Sequence, residues 1–393
     1  MNPTKAAGLP SWYSGTDGRI RVRSNFLPAL FGIFFLPLSA QAQVSNFSAP
    51  FIIPAGDNLS DVAVGDFNGD NFQDVVTTSI QTRQALVLLG NGDMTFDAPV
   101  AYGVGGNPFA VRVVDFNKDA KLDLLVCNGS DDTVSFLAGN GDGTFQSRVN
   151  IPCGGDPRDV VALDMNGDNL LDLVVATNDE IGISVVRNEG AGFYAPPSIR
   201  SGIPASFKLA TGFFNTDGRT DIAVTSLQGT TLYVATANTT GGFNTPVAYT
   251  ANGQTRGVVV GDFNSDGFSD IATANGNATN TVFFNNRTGG FSSTSQLAGG
   301  NIGYDLVAGD FNRDGQRDLV STNFGEDTLN FFRGVGDGTF LTRQTSPTAS
   351  QPVAIATSDF NNDGALDLVV VHSAGDSVAV YRNIPIGTLW MLQ

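Results

Sequence analysis

The sequence is poor in the residues from which most enzyme chemistry is built. It holds one histidine, His372, and two cysteines, Cys127 and Cys153, in 393 residues. With no second imidazole and no base beside a nucleophile, a Ser-His-Asp or Cys-His arrangement has no support. His372 instead reads as a rim residue at a strand end. Glu180, Glu189 and Glu326 are scattered and form no acid/base pair. Two cysteines make no disulfide framework; one Cys127–Cys153 bridge is the most they allow. Lys and Glu, common on helical surfaces, number only four and three. That scarcity favours an all-β chain with many turns. Bases are few against acids, 21 to 38, and a net charge of −17 argues against nucleic acid, whose phosphates need clustered Lys and Arg.

Long apolar runs are also missing, apart from Phe26–Ala40. Arg19, Arg21 and Arg23 precede that run, and Ala40-Gln41-Ala42 ends it. A positive n-region, a short apolar region and an A-x-A site mark residues 1–42 as a secretion signal. The run is short for a membrane helix and is broken by Pro28 and Pro37. The expectation is a secreted chain, 43–393, extracellular, periplasmic or at the cell surface, with no membrane span after cleavage.

What the sequence does hold is Gly (47), Phe (29) and Asp. All but three of the acids are Asp, which beside Gly and Asn points to turns or oxygen-ligand metal sites. Seven segments align: DFNGDNFQD from Asp66, DFNKDAKLD from Asp115, DMNGDNLLD from Asp164, FFNTDGRTD from Phe213, DFNSDGFSD from Asp262, DFNRDGQRD from Asp310 and DFNNDGALD from Asp359. Their starts lie 49, 49, 49, 49, 48 and 49 residues apart. Around each loop run an apolar lead-in, a β-branched run, a third apolar stretch and a Gly-rich turn ending in Phe. Four short strands per repeat match a propeller blade. An open solenoid would need capping repeats. Here the ends are complementary: FSAPFIIP, 47–54, aligns with the fourth-strand segment FDAPVAYG from Phe96, while the seventh repeat stops at Gly387-Thr388-Leu389, before a fourth strand. The expected fold is a seven-bladed β-propeller of four-stranded antiparallel blades, closed by an N-terminal strand that completes the last blade. A monomer is expected.

Within each loop, acidic or amide side chains fall at positions 1, 3, 5 and 9. The first loop offers Asp66, Asn68, Asp70 and Asp74; the second, Asp115, Asn117, Asp119 and Asp123; the third, Asp164, Asn166, Asp168 and Asp172. The fifth has Asp262, Asn264, Asp266 and Asp270, and the sixth Asp310, Asn312, Asp314 and Asp318. The seventh has Asp359, Asn361, Asp363 and Asp367. Alternate residues of a tight loop can converge on one cation, and the variable position 7 suits a backbone carbonyl ligand. Such an all-oxygen shell is what calcium prefers. The bland alternative is a set of Asx-turns. In the fourth loop Phe213 replaces the first acid and leaves Asn215, Asp217 and Asp221, so about six calcium sites are expected and a seventh is degenerate. Position 6 is Gly in four loops and Asn71 or Asn169 in two, as a positive φ requires; Ala120 departs from that rule.

The pattern DFNxDGxxDLVV followed by TVSVLLGNGDGTF resembles the FG-GAP/VCBS repeat family, which includes the integrin α-subunit propeller and many secreted microbial proteins. The resemblance covers roughly residues 44–393. It implies calcium in the loop between the first and second strands of each blade, with Phe213 putting the fourth in doubt. It leaves the biology open among adhesion, glycan binding and, in some multi-domain relatives, polysaccharide cleavage.

One position of the repeat diverges in a suggestive way. Six residues before each loop stand Ser60, Phe109, Arg158, Phe207, Arg256, Tyr304 and Val353. Ring symmetry places them around the channel mouth on the face away from the loops. Aromatic and Arg side chains are the types enriched at binding hot spots, although Phe109 and Phe207 would equally serve as packing between blades. The leading expectation is a non-enzymatic recognition or adhesion module binding an extracellular protein or glycan through Phe109, Arg158, Phe207, Arg256 and Tyr304. A calcium-dependent polysaccharide lyase or hydrolase is the alternative, and a purely structural envelope component is a third.

Overall fold

A computed structural model describes residues 47–384, Glu180 and Ala278 excepted. The proposed signal segment and the Gly387–Leu389 stop lie outside the described residues. Among those residues the structure is all β, and seven four-stranded antiparallel sheets follow one another. The first blade runs Leu59–Gly65, Asp74–Ser79, Gln84–Leu88 and Val100–Gly103, from innermost strand to outermost. Five more repeat that order. The seventh consists of Pro352–Ser358, Asp367–His372 and Ser377–Tyr381, with Phe51–Pro54 as its outer strand. Phe51 pairs with Val380 and Pro54 with Ser377. The N-terminal segment therefore supplies the strand that the last repeat lacks. The innermost strands neighbour one another around the whole ring, the first blade meeting the seventh.

The β-branched run after each loop forms the second strand, and all seven second strands are buried along their six residues. A strand flanked by strands on both sides and covered by blades on both faces needs apolar side chains pointing both ways. Apolar cores accordingly lie between blades. Val76 and Val87 of the first blade meet Val111 and Leu124 of the second, and the same junction recurs to the seventh and first blades, where Val369 and Val380 meet Val75 and Leu88.

Position 2 anchors these cores: Phe67, Phe116, Phe214, Phe263, Phe311 and Phe360 are all buried, and Met165 of the third loop is half-buried. Each phenylalanine takes an aromatic ring from the next blade. Phe67 meets Phe145 edge-on at 5.4 Å, Phe214 meets Phe291 at 5.3 Å, and Phe360 meets Phe96 at 5.7 Å. At the junction of blades six and seven, the ring beside Phe311 is Phe47, at 5.9 Å. Phe47 also bridges to Asn383. The N-terminal segment thus supplies an aromatic clasp as well as an edge strand.

Both cysteines are free and buried in the core between blades two and three. Burial pushes the Cys153 thiol up to about 12 and the Cys127 thiol well above its ordinary range. The disulfide weighed from sequence is not formed. Cys127 instead acts as a small apolar residue.

Candidate functional sites at the loop face and the channel mouth

Each inner strand runs from the mouth to a loop, so the two candidate surfaces lie at opposite ends of the ring. In the first loop both oxygens of Asp66 are held by loop amides: Gly69 and Asp70 donate to Oδ1, and Asn71 donates to Oδ2. Asn68 Oδ1 accepts from the Asp70 amide, and Asp70 Oδ1 from that of Phe72. The bonds from positions 5 and 6 recur around Asp115, Asp262, Asp310 and Asp359, and those from positions 4 and 6 around Asp164. Position 6 is left-handed throughout, Ala120 included, at φ +66°. Position 4 is left-handed as well in six loops, which sequence reading missed although Gly69 and Gly167 signal it. The fourth loop is the exception. It has the β-branched Thr216 at position 4, lacks the bonds to a first acid, and exposes Phe213.

Position 9 does something the sequence did not show. Asp74 is fully buried, with Oδ2 accepting from the Phe67 amide and Oδ1 from that of Gly90 at the end of the third strand. Asp123, Asp270, Asp318 and Asp367 repeat this strut, joining loop to third strand. Burial pushes Asp74, Asp270, Asp318 and Asp367 up to about 6, with loop carboxylates adding to the shift and the backbone donors opposing it. Among the described residues, no three Asp, Glu, His or Cys side chains are gathered closely enough to hold a metal ion. The loop oxygens point to the loop's own amides.

Basic side chains reach five of the loops. Arg187 pairs with Asp172, Arg219 with Asp217, Arg287 with Asp266, Arg333 with Asp314, and both Arg313 and Arg382 with Asp363. Among the described residues, the acids of the first two loops have no such ion pair. A polar cleft of about 360 Å³ opens between the third and fourth loops, lined by Met165, Asn166, Arg219, Asn238, Thr239 and Phe243.

At the other end the five mouth residues do come together, in two groups. The Arg158 guanidinium lies 3.8 Å from the centre of the Phe109 ring and pairs with Asp156. Arg256 lies 5.0 Å from the Tyr304 ring. Phe207, from blade four, meets Tyr304 of blade six edge-on at 6.2 Å, and Tyr304 stacks on Phe324. Phe207 is buried, which favours its packing role, whereas Phe109, Arg158, Arg256 and Tyr304 are half-buried. Ser60 hydrogen-bonds across to Pro108.

One residue further along each inner strand, a charged cluster that sequence reading passed over crosses the channel. Asp61, Asp159, Lys208 and Asp305 occupy this position in blades one, three, four and six; Ala110, Gly257 and Ala354 occupy it in the others. Lys208 Nζ reaches Asp61 Oδ1 at 3.0 Å. Blades one and four are not neighbours, so that bond spans the centre. Arg112 bridges Asp61 at 2.9 Å and Asp159 at 2.5 Å. The mixture of charged and very small residues at one position was the available signal, since a narrow centre cannot hold seven large side chains.

His372 is buried, and its Nε2 is 2.6 Å from Thr348 Oγ1, which also bonds the Tyr381 hydroxyl. Burial pushes the imidazole down to about 4, so it is neutral. A neutral, core-packed imidazole at the end of its strand fits a structural part.

The FG-GAP-like repeat profile matches residues 66–126, 115–175, 214–273, 262–321 and 310–370, well over half of the chain. The chain belongs to the FG-GAP-like repeat family. No curated protein matches it closely. Among solved structures, this FG-GAP repeat propeller is similar to an Agrocybe aegerita lectin, described for specific recognition of non-reducing terminal N-acetylglucosamine, at 18% identity and TM-score 0.54, covering 80% of this chain and 85% of that one. It is also similar to BBS1N in complex with ARL6DN, at 14% identity and TM-score 0.60, covering 87% and 98%. At these identities the likeness is one of fold. No helix among the described residues is long and apolar enough to cross a membrane.

Proposed function

We propose that this FG-GAP repeat chain is a secreted, calcium-binding, non-enzymatic recognition module that engages an extracellular protein or glycan at its channel mouth. The observation that carries the recognition half is the pair of guanidinium–aromatic contacts, Arg158 on Phe109 and Arg256 on Tyr304, half-buried at one end of the ring. Repeats diverge where binding rather than packing decides, and such side chains combine large contact area with little conformational freedom to lose. Similarity to a lectin and to a propeller solved with a protein partner favours the same class of role.

Calcium is supported by the donor set, all carboxylate and amide oxygen at alternate positions, and by six near-identical copies. Each carboxylate oxygen that accepts a loop amide keeps a second lone pair. The loops of Asp66 and Asp115, which lack an arginine partner, would fill first, and Phe213 would leave the fourth weak. Exposed arginine pairs are worth little and yield to a divalent ion.

The two halves have separate tests. Calorimetric titration of metal-stripped protein should show several calcium sites and a raised melting temperature; no heat and no shift would remove calcium. Glycan and secreted-protein arrays should yield a ligand whose binding falls at least tenfold in Phe109→Ala/Arg158→Ala. Unchanged binding would move the site elsewhere, and turnover of a polysaccharide would favour a lyase or hydrolase instead.

A further inference from the structure

The channel cluster contains more acid than base. Asp61, Asp159 and Asp305 face only Arg112 and Lys208, so with every group ionised the centre carries one excess negative charge. Asp61 is committed to Lys208 and Arg112, and Asp159 to Arg112. Asp305 accepts only backbone amides: its own blade's Leu306 donates to Oδ1 at 3.0 Å, and Ile355 of blade seven donates to Oδ2 at 3.3 Å. Gly257 of blade five makes room for this carboxylate, since a Cβ there would stand 2.9 Å from Asp305 Oδ1.

We propose that this cluster is a charge lock closing the central channel, and that a proton on Asp305 completes it, so that the lock itself is tighter in acidic than in neutral solution. The charged groups acting on Asp305 are Lys208, which favours its ionisation, and Asp61, which opposes it; Arg112 also attracts it. The inner strand of blade seven, Pro352–Ser358, offers no titratable group, and that of blade five offers only Arg256, whose guanidinium lies over Tyr304. Burial dominates and pushes Asp305 up to about 6. At Asp61 burial acts the same way, but Lys208 and Arg112 outweigh it and hold that carboxyl below its usual range. One carboxyl of the lock takes a proton while its neighbour keeps its charge.

The sign follows from linkage. Asp305 in the folded ring takes up its proton at higher pH than in the unfolded chain. Folding therefore gains as pH falls through 6, up to about a hundredfold in the equilibrium constant by pH 4, and loses that gain as pH rises. Asp305→Asn, a neutral group of the same shape, mimics the protonated lock. Its melting temperature should exceed that of the parent at pH 7.5, and the excess should shrink as pH falls through 6 and disappear near pH 4. Taking the difference between the two proteins removes the loop carboxylates, which both share. A difference that is constant from pH 5 to 7.5 would overturn the proposal. If the variant does not fold, the Ile355 amide resonance of the parent reports the same proton: a midpoint near 6 supports it, and one at or below 4 overturns it.

Discussion

Arg112→Met tests whether the centre of the ring is dry. Methionine keeps most of the apolar stem and removes only the guanidinium. Arg112 bonds Asp61 at 2.9 Å and Asp159 at 2.5 Å, and those carboxylates are 2% and 0% exposed. After the change Asp61 keeps Lys208, but Asp159 keeps only the amides of Val160 and Leu209. Removing one partner of a buried pair typically costs ~3–5 kcal/mol, because an uncompensated charge stays behind. The arginine side chain is 28% exposed, so some solvent reaches it and the lower end, ~3 kcal/mol, applies. The assay is urea denaturation at pH 7.5 in saturating calcium, with Arg112→Met/Asp159→Asn alongside. Removing both charges should recover at least half of the loss. A loss below ~0.5 kcal/mol, or a double variant no better than the single, would mean that water screens the centre as it does a surface pair. The charge lock would then be wrong as an energetic idea, whatever the distances.

Two further outcomes follow from the packing. Phe47→Ala removes the clasp against Phe311 and Phe331 and should destabilise the ring by ~3–4 kcal/mol, whereas Phe193→Ala, at an exposed site, should change little; equal effects on thermal melting would refute closure by the N-terminal segment. His372 acts opposite in sign to Asp305: its folded value near 4 lies below the ordinary 6.5, so the unfolded chain binds the proton first. Stability should be lost as pH falls from 6.5 towards 4, by up to ~3 kcal/mol, and His372→Gln should flatten that slope in melts recorded across the range.

Nearly all of the fold was legible in the sequence, because repetition multiplies a weak signal. A single Asx-rich loop says little, but seven at one spacing fix blade number and strand order, and the match of Phe47 to Phe96 fixes how the ring closes. The sites were less legible, for a geometric reason. Position 9 looks like a ligand in sequence, and only the fold shows Asp74 reaching the Gly90 amide sixteen residues away. The five mouth residues share a repeat position, so symmetry found them and allowed Phe207 a packing role, but it gave no hint that its partner would be Tyr304, two blades away. The lock was missed because its central bond, from Asp61 to Lys208, joins blades that are not adjacent. No periodicity encodes a contact across the centre of a ring. Only the break in periodicity, four charged residues interspersed with Ala and Gly, marks it.

That break has a consequence for assembly. Blades built from near-identical repeats can pair with the wrong neighbour, and chains of such repeats are prone to swapping and misassembly. Most of the loops and inter-blade cores are alike and distinguish one blade from another poorly. The centre distinguishes them. Lys208 finds Asp61 only when blade four lies across from blade one, and Arg112 finds both its carboxylates only when blades one to three follow in order. A ring with one blade more or fewer would leave at least one of these charges buried and unpaired, a cost of several kcal/mol. The lock therefore favours a seven-membered ring in this order, much as a single buried polar residue favours one register of a coiled coil.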